Sequence, residues 1–288
     1  MSAGLKLHLA VLLFGAAGLM GKVIAMPATQ LVLGRTLIGA LALALFIGFF
    51  AKQEHRYGWS LVGMSKLTLL VGSGIMLAIH WWTFFYAIQL AGVGIAVVGF
   101  SAFPVFVTLL EALLQKRQVQ PMDALVTAIV VIGLWLVAPS ISWQNATFQG
   151  LAWGVISGAL FAVLALLNKS LVSVFGGLHL GFGQQAIAAI CCGLLVDWSA
   201  LRISAYDGVN LLLLGVLLTA VPHVMFISCL RHIRAHMAAI VTSLEPVYAI
   251  IFAWLLLAEQ PPLSTLLGAG IILFAVVLGH WYQNRAAA

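Results

Sequence analysis

The sequence predicts an all-α integral membrane protein: ten transmembrane helices, built as two inverted five-helix repeats, with both termini cytoplasmic. Three observations predict it. The first is composition, 64% hydrophobic and only 7% charged, where soluble proteins carry about a quarter charged residues. The second is a succession of apolar runs, each near the roughly 20 residues needed to cross a bilayer core. The third is a self-similarity between the two halves of the chain. The runs are continuous rather than alternating, which excludes a β-barrel.

Taken in order, the first run follows Lys6 and continues to Ile24. It outlasts the apolar core of a signal peptide and further runs follow, so it is read as a retained helix, 5–24. The second, 29–51, holds Arg35 one or two turns in. The third, 67–89, follows the longest loop, 52–66, and contains the densest aromatic stretch, HWWTFFY. The fourth and ninth, 93–114 and 235–257, each carry a proline near the middle. The fifth is 121–138. The sixth, 149–172, has Gly150, Gly154 and Gly158 at four-residue spacing, a small-residue face that lets another helix approach closely and is read as packing within the fold. The seventh, eighth and tenth are 178–198, 207–229 and 263–282. No segment between runs is long enough for a soluble domain.

Orientation follows from the basic residues. With a cytoplasmic N-terminus, Lys6, Lys52, Arg56, Lys66, Lys116, Arg117, Lys169, Arg231, Arg234 and Arg285 face the cytoplasm, and only Lys22 and Arg202 lie opposite. That bias obeys the positive-inside rule and needs an even number of spans. The expected location is the inner (plasma) membrane.

Residues 84–121 align without a gap on 226–263, at an offset of 142. Ala96 pairs with Ala238, Ser101 with Ser243 and Pro104 with Pro246. The expected organisation is one membrane domain made of a first repeat, 1–140, and a second, 145–288. Five spans per repeat is an odd number, so the second repeat enters from the other side. Such inverted repeats are the construction of secondary transporters, with substrate near the midplane between the halves.

Ionisable groups inside spans are costly and mark function or a partner. Glu245 lies near the middle of the ninth run. It is either a proton-coupling site or partner of a substrate ammonium, or a carboxylate that stabilises a bend at Pro246 or pairs with Arg35. Arg35 either binds a substrate carboxylate or serves the fold. His80 and Trp81 lie too deep for an interfacial aromatic belt and are expected to line a central cavity. Trp81 pairs with His223 at the repeat offset, so each half offers a ring at this level; Tyr248 is a further cavity candidate. Pro104 and Pro246 remove helix hydrogen bonds at equivalent positions and are read as gating bends or packing kinks. Lys22 and Lys169 read as snorkelling anchors. Asn168, Gln184 and Gln185 suit interhelical hydrogen bonds or substrate contact.

Other chemistry is missing from the sequence. There is no HExxH, no phosphate-binding glycine loop and no GxSxG elbow. Cys191, Cys192 and Cys229 form no metal-ligand pattern. No basic patch with interleaved aromatics suggests nucleic acid. No enzyme activity, cofactor or metal is expected, and transport would run on an ion gradient or on the substrate's own.

The motifs LEPVYAIIFAWLLLAEQP (244–261), AVVGFSAFPVFVTLLEALLQKR (96–117) and GRTLIGALALAL (34–45) resemble the EamA family of the drug/metabolite transporter superfamily, as do MGKVI and LLNKSL. The family's acidic residue after the fourth span is replaced here by Lys116 and Arg117, and is present only as Glu259 in the second repeat. The resemblance implies ten helices, alternating access, and export of amino acids, including aromatic ones, or of other small metabolites. Export of cationic drugs or quaternary amines is the alternative, and an intramembrane lipid-handling enzyme a more distant one. The expected partners are a small-molecule substrate, the lipid bilayer and protons acting through Glu245. A monomer is expected rather than a dimer.

Overall fold

The computed structural model of the chain describes residues 2–50, 63–114, 116, 118, 120–138, 140–233 and 235–286. Lys52, Arg56, Arg117 and Arg234 of the basic count lie outside them. The described residues are all-helical. Seven helical stretches are long and apolar enough to cross a membrane: Ala3–Val23, Ala28–Phe50, Met64–Ala91, Val93–Leu114, Ala146–Leu195, Ala205–Leu230 and Met237–Leu257. Two shorter apolar helices are Pro121–Val137 and Leu263–Gly279. Together these describe a multi-pass membrane protein.

The first three helices, α1 (Ala3–Val23), α2 (Ala28–Phe50) and α3 (Met64–Ala91), are unbroken. The fourth stretch is not. It divides into α4 (Val93–Phe100) and α5 (Phe103–Leu114). The later stretch divides in the same way into α10 (Ala235–Thr242) and α11 (Glu245–Leu257). Helices α6 (Pro121–Val137) and α12 (Leu263–Ala286) follow the two broken stretches. The starts of α10, α11 and α12 each fall 142 residues after those of α4, α5 and α6.

The breaks correct the reading of Pro104 and Pro246 as kinks inside continuous helices. Each proline is the second residue of a new helix, where its missing N–H is one the helix would leave unbonded anyway. At each break a serine side chain bonds back to a carbonyl of the preceding helix. Ser101 Oγ donates to the Val98 carbonyl at 2.6 Å, and Ser243 Oγ to the Ala239 carbonyl at 3.0 Å.

Helix α7 (Ala146–Leu195) has 50 residues. Straight, it would measure about 75 Å, more than twice the bilayer core. Gly176 breaks it at φ 69°, ψ 160°, where a side chain would be strained. The chain folds back there: Gln184 Nε2 donates to Asn168 Oδ1 at 2.6 Å across 16 residues. One turn residue thus replaces the short loop expected between the sixth and seventh runs. Helix α8 (Ala205–Gly215) joins α9 (Val221–Leu230) through a π-helical turn, Val216–Ala220.

Helix α7 packs along α2, α3, α4 and α9, and α1 lies against α9, α10 and α11. Gly150, Gly154 and Gly158 face α3 and α4, as their spacing predicts: a Cβ on Gly154 would lie 2.5 Å from the Ala96 carbonyl oxygen. Large apolar side chains such as Phe49, Leu194 and Leu255 stay exposed on the outer surface, where a hydrocarbon solvent leaves them no worse than burial would.

Lys169 is not a snorkelling anchor. Its Nζ donates to the Leu230 and Ile233 carbonyls at 2.6 and 2.9 Å, at the C-terminal end of α9. Three ammonium donors and a helix C-terminus are complementary. Lys169→Met is expected to lower stability by about 2 kcal/mol, read as a drop in the thermal unfolding midpoint in detergent. Lys22 is exposed, with Nζ 3.5 Å from the Gln89 carbonyl near the end of α3.

Candidate functional site

A cavity of about 30 Å³ lies at the centre of the bundle. Its polar lining is Arg35, His80, Trp81, His223 and Glu245, and Phe14, Phe84, Phe100 and Phe161 form the apolar walls. Helices from both halves of the chain contribute. Five of the six binding residues expected from sequence therefore converge. Tyr248 does not: it is half-buried, and its Cβ packs where a Cβ on Gly15 of α1 would stand. Tyr248 follows Glu245 by three residues, close to the same face of α11, but it packs against α1 at Gly15 and does not line the cavity. Tyr248→Phe is expected to leave substrate affinity within about twofold in a binding or transport assay.

Arg35 is 2% exposed and sits in the third turn of α2. Its guanidinium lies 4.1 Å over the Trp81 ring and 4.9 Å from the Phe85 ring, and such stacking favours a buried cation. Its Nε donates to Thr219 Oγ1 at 3.0 Å. Thr219 belongs to the π-helical turn, and such turns redirect side chains where function or packing needs them. Arg35 Nε is thus committed to the protein, and its two Nη groups make no hydrogen bond among the described residues.

Glu245 is 5% exposed and opens α11. The broken helix explains how a carboxylate can stand here: it lies in the first turn of a helix, where the backbone N–H groups and dipole favour negative charge. Its repeat mate Phe103 opens α5 in the same way and stacks on Phe100, with ring centroids 5.3 Å apart. Arg35 and Glu245 line one cavity, yet no ion pair joins them, and Glu245 makes no side-chain hydrogen bond among the described residues. The alternative in which Arg35 simply neutralises Glu245 by direct contact is therefore not what the chain adopts.

His80 packs among Phe84, Phe100 and Phe161, and its Nδ1 lies 2.8 Å from Ser157 Oγ. His223 meets Trp81 edge-on at 5.4 Å. These are the two residues that the 142 offset pairs. His223 Nε2 lies 3.0 Å from Gln184 Oε1. The arrangement offers one cation, one carboxylate and two imidazoles inside an aromatic wall.

Sequence reasoning did not single out Phe14, Phe84, Phe100, Phe161 or Thr219 for the site. In a chain where nearly every span position is apolar, no local pattern separates a cavity-facing Phe from a lipid-facing one. At the end of α1, a wider recess of about 490 Å³ is lined by Lys22, Gly92, Thr147 and Glu259 among others. There Glu259 accepts the Gly94 backbone N–H at 3.1 Å, tying the α11–α12 turn to the start of α4.

A family model described as the EamA-like transporter family matches residues 1–138 and 148–279. The chain belongs to the EamA-like transporter family. Its relatives include the uncharacterized transporter YxxF of Bacillus subtilis, 21% identical over 96% of this chain and 89% of that one. An uncharacterized transporter of Archaeoglobus fulgidus is 25% identical over 82% of this chain and 84% of its own. A solved structure that is 15% identical superposes with a TM-score of 0.70 over 100% of this chain and 99% of that one, which shows a shared fold. EamA membership makes this chain a membrane transporter.

Proposed function

We propose that the chain is a secondary transporter that exports small metabolites, foremost amino acids including aromatic ones, by alternating access through the central cavity. The observation that carries this reading is the pair of opposite charges on one aromatic-walled cavity with no direct bond between them. An amino acid carries the complement. Its carboxylate suits the free Nη groups of Arg35, its ammonium suits Glu245, and an aromatic side chain suits the surrounding rings.

Ten crossings follow if α7 counts as two at Gly176, each broken stretch as one, and α6 and α12 as one each. The equal 142-residue spacing of helix starts and the two family matches, 1–138 and 148–279, support two repeats. An inverted arrangement, cytoplasmic termini and an inner-membrane location complete the proposal, on the strength of the basic-residue bias. A volume of about 30 Å³ holds one or two waters, so substrate entry requires the walls to part. The breaks before Phe103 and Glu245 are where discontinuous helices in such folds meet their ligand, and Pro104 and Pro246 are the proposed gating positions.

Export of cationic amines is the second reading, favoured by Glu245 and the aromatic walls. Counterflow into liposomes of purified protein separates the two, using labelled phenylalanine, tryptophan, threonine and a quaternary amine. Movement of the amino acids, competed by unlabelled amino acid, is the expected result. Movement of the amine alone establishes the second reading. No movement of any of the four refutes this substrate class.

A further inference from the structure

His80 and His223 reach the cavity from opposite halves of the chain, and each has one ring nitrogen fixed by a group outside it. His80 Nδ1 lies 3.1 Å from the Ser157 carbonyl oxygen. Nδ1 also lies 2.8 Å from Ser157 Oγ, but the carbonyl oxygen only accepts, so the tautomer that suits both neighbours has the proton on Nδ1. The Ser157 hydroxyl donates its own hydrogen to the His80 carbonyl at 3.1 Å.

His223 is fixed in the opposite sense. Gln184 Nε2 donates to Ser73 Oγ at 2.9 Å and to Asn168 Oδ1 at 2.6 Å. Those two bonds orient the amide, so Oε1 is the atom presented to His223 Nε2 at 3.0 Å, and Nε2 carries the proton there. The remaining nitrogens, His80 Nε2 and His223 Nδ1, meet no protein acceptor among the described residues. A neutral imidazole carries one proton, and with it on the anchored nitrogen of each ring the other nitrogen is a lone pair. Each lies on the side of its ring away from its anchor, and the anchors Ser157 and Gln184 are absent from the cavity lining.

We propose that Gln184 is a positioning residue for ligand recognition. Through His223, and in parallel with Ser157 behind His80, it keeps the cavity's free ring nitrogens as acceptors, so that the site takes a substrate ammonium group on Glu245, His80 Nε2 and His223 Nδ1. An ammonium offers three donors and no acceptor, which matches these three groups. The proposal deepens the transporter reading and rests on it for the meaning of the cavity.

The network is built for this task. Gln184, Asn168 and Ser73 are each 0% exposed and come from α3 and both arms of α7. Asn168 Nδ2 is buried with no partner. That spare donor can turn to a carboxylate at position 184 in Gln184→Glu, whereas in the wild type Ser73 Oγ, whose own hydrogen goes to the Leu70 carbonyl at 2.8 Å, still accepts from Gln184 Nε2 and holds the amide.

The test uses the full chain in lipid nanodiscs with ¹⁵N-labelled histidine. His80→Gln and His223→Gln assign the two signals among the eight histidines. The expected wild type has His80 neutral with its proton on Nδ1 and His223 neutral with its proton on Nε2. Gln184→Glu is expected to convert His223 to the doubly protonated form. It should also raise the half-saturating concentration of phenethylammonium about tenfold while maximal transport stays within about twofold. Gln184→Met keeps the length but offers only a weak thioether acceptor, so His223 should populate both neutral tautomers.

A proton on His223 Nδ1 in the wild type overturns the lock, as do His223 signals unmoved in both variants. Shifted signals with unchanged phenethylammonium affinity overturn the role in recognition. So does a wild type that does not bind this probe. Binding is read separately, from quenching of tryptophan fluorescence in the same nanodiscs. A wild type that binds the probe but moves no compound across liposomes refutes the transporter reading and leaves the lock judged on its own signals.

Discussion

Glu245→Gln raises the half-saturating concentration of an amino acid substrate by about 10- to 100-fold, the loss of one charge-assisted hydrogen bond in a buried site. The amide keeps the size and shape of the carboxylate, so the walls formed by Phe14, Phe100 and Phe161 are not disturbed. No protein hydrogen bond is broken, because Glu245 makes none among the described residues. The fold loses the attraction of a carboxylate to the first turn of α11, up to about 2 kcal/mol, and to Arg35 across the cavity, and is relieved of burying a charge, which offsets them. Affinity and stability therefore separate. Arg35→Gln does not behave this way. It removes the stacking on Trp81 and Phe85 and the bond to Thr219, so stability and transport fall together. The measurement is counterflow kinetics beside thermal unfolding for both variants. An unchanged half-saturation in a well-folded Glu245→Gln protein would remove Glu245 from the binding site.

Gly154→Val fails to give a folded, monodisperse protein. At this position α7 crosses α4 backbone to backbone: a Cβ would meet the Ala96 carbonyl oxygen at 2.5 Å and Gly99 Cα at 3.1 Å. Neither atom is the end of a flexible side chain, so relief requires moving a helix. Overpacking a well-packed interior costs about 1–3 kcal/mol. A branched side chain against backbone lies at or above the upper end, and membrane helices depend on such close approach for their packing. Gly154→Ala is expected to lower the unfolding midpoint while still folding. Gly72 on α3 is the control, with nothing within 4 Å of an added Cβ. Gly72→Ala should be neutral or slightly stabilising, because alanine is the better helix former. Size-exclusion profiles and unfolding midpoints in detergent decide this. A monodisperse Gly154→Val with wild-type stability would contradict the packing.

The membrane class, the apolar stretches and the small-residue face of α7 were legible in the sequence because each is a one-dimensional signal. Hydropathy needs no partner, and a four-residue glycine spacing puts the glycines on one helix face, although whether that face meets another helix of the fold or a second copy was left to the structure. Arg35, His80, Trp81, His223 and Glu245 were legible for a related reason: a polar or aromatic group at membrane depth is expensive and must be accounted for. The 142-residue offset also paired Trp81 with His223, whose rings meet in the structure.

The tertiary structure decided what those residues touch. Only the fold turns Tyr248 onto α1 and Thr219 onto Arg35, and makes Lys169 a cap for α9. Only the fold picks four phenylalanines as cavity walls from a chain with 16. It also shows that Pro104 and Pro246 begin helices and that Gly176 alone turns α7 back on itself. The reason is physical. In a lipid-soluble chain both the inside and the outside of the bundle are apolar, so sequence marks depth in the membrane but not direction around the helix, and direction is fixed only when the helices pack.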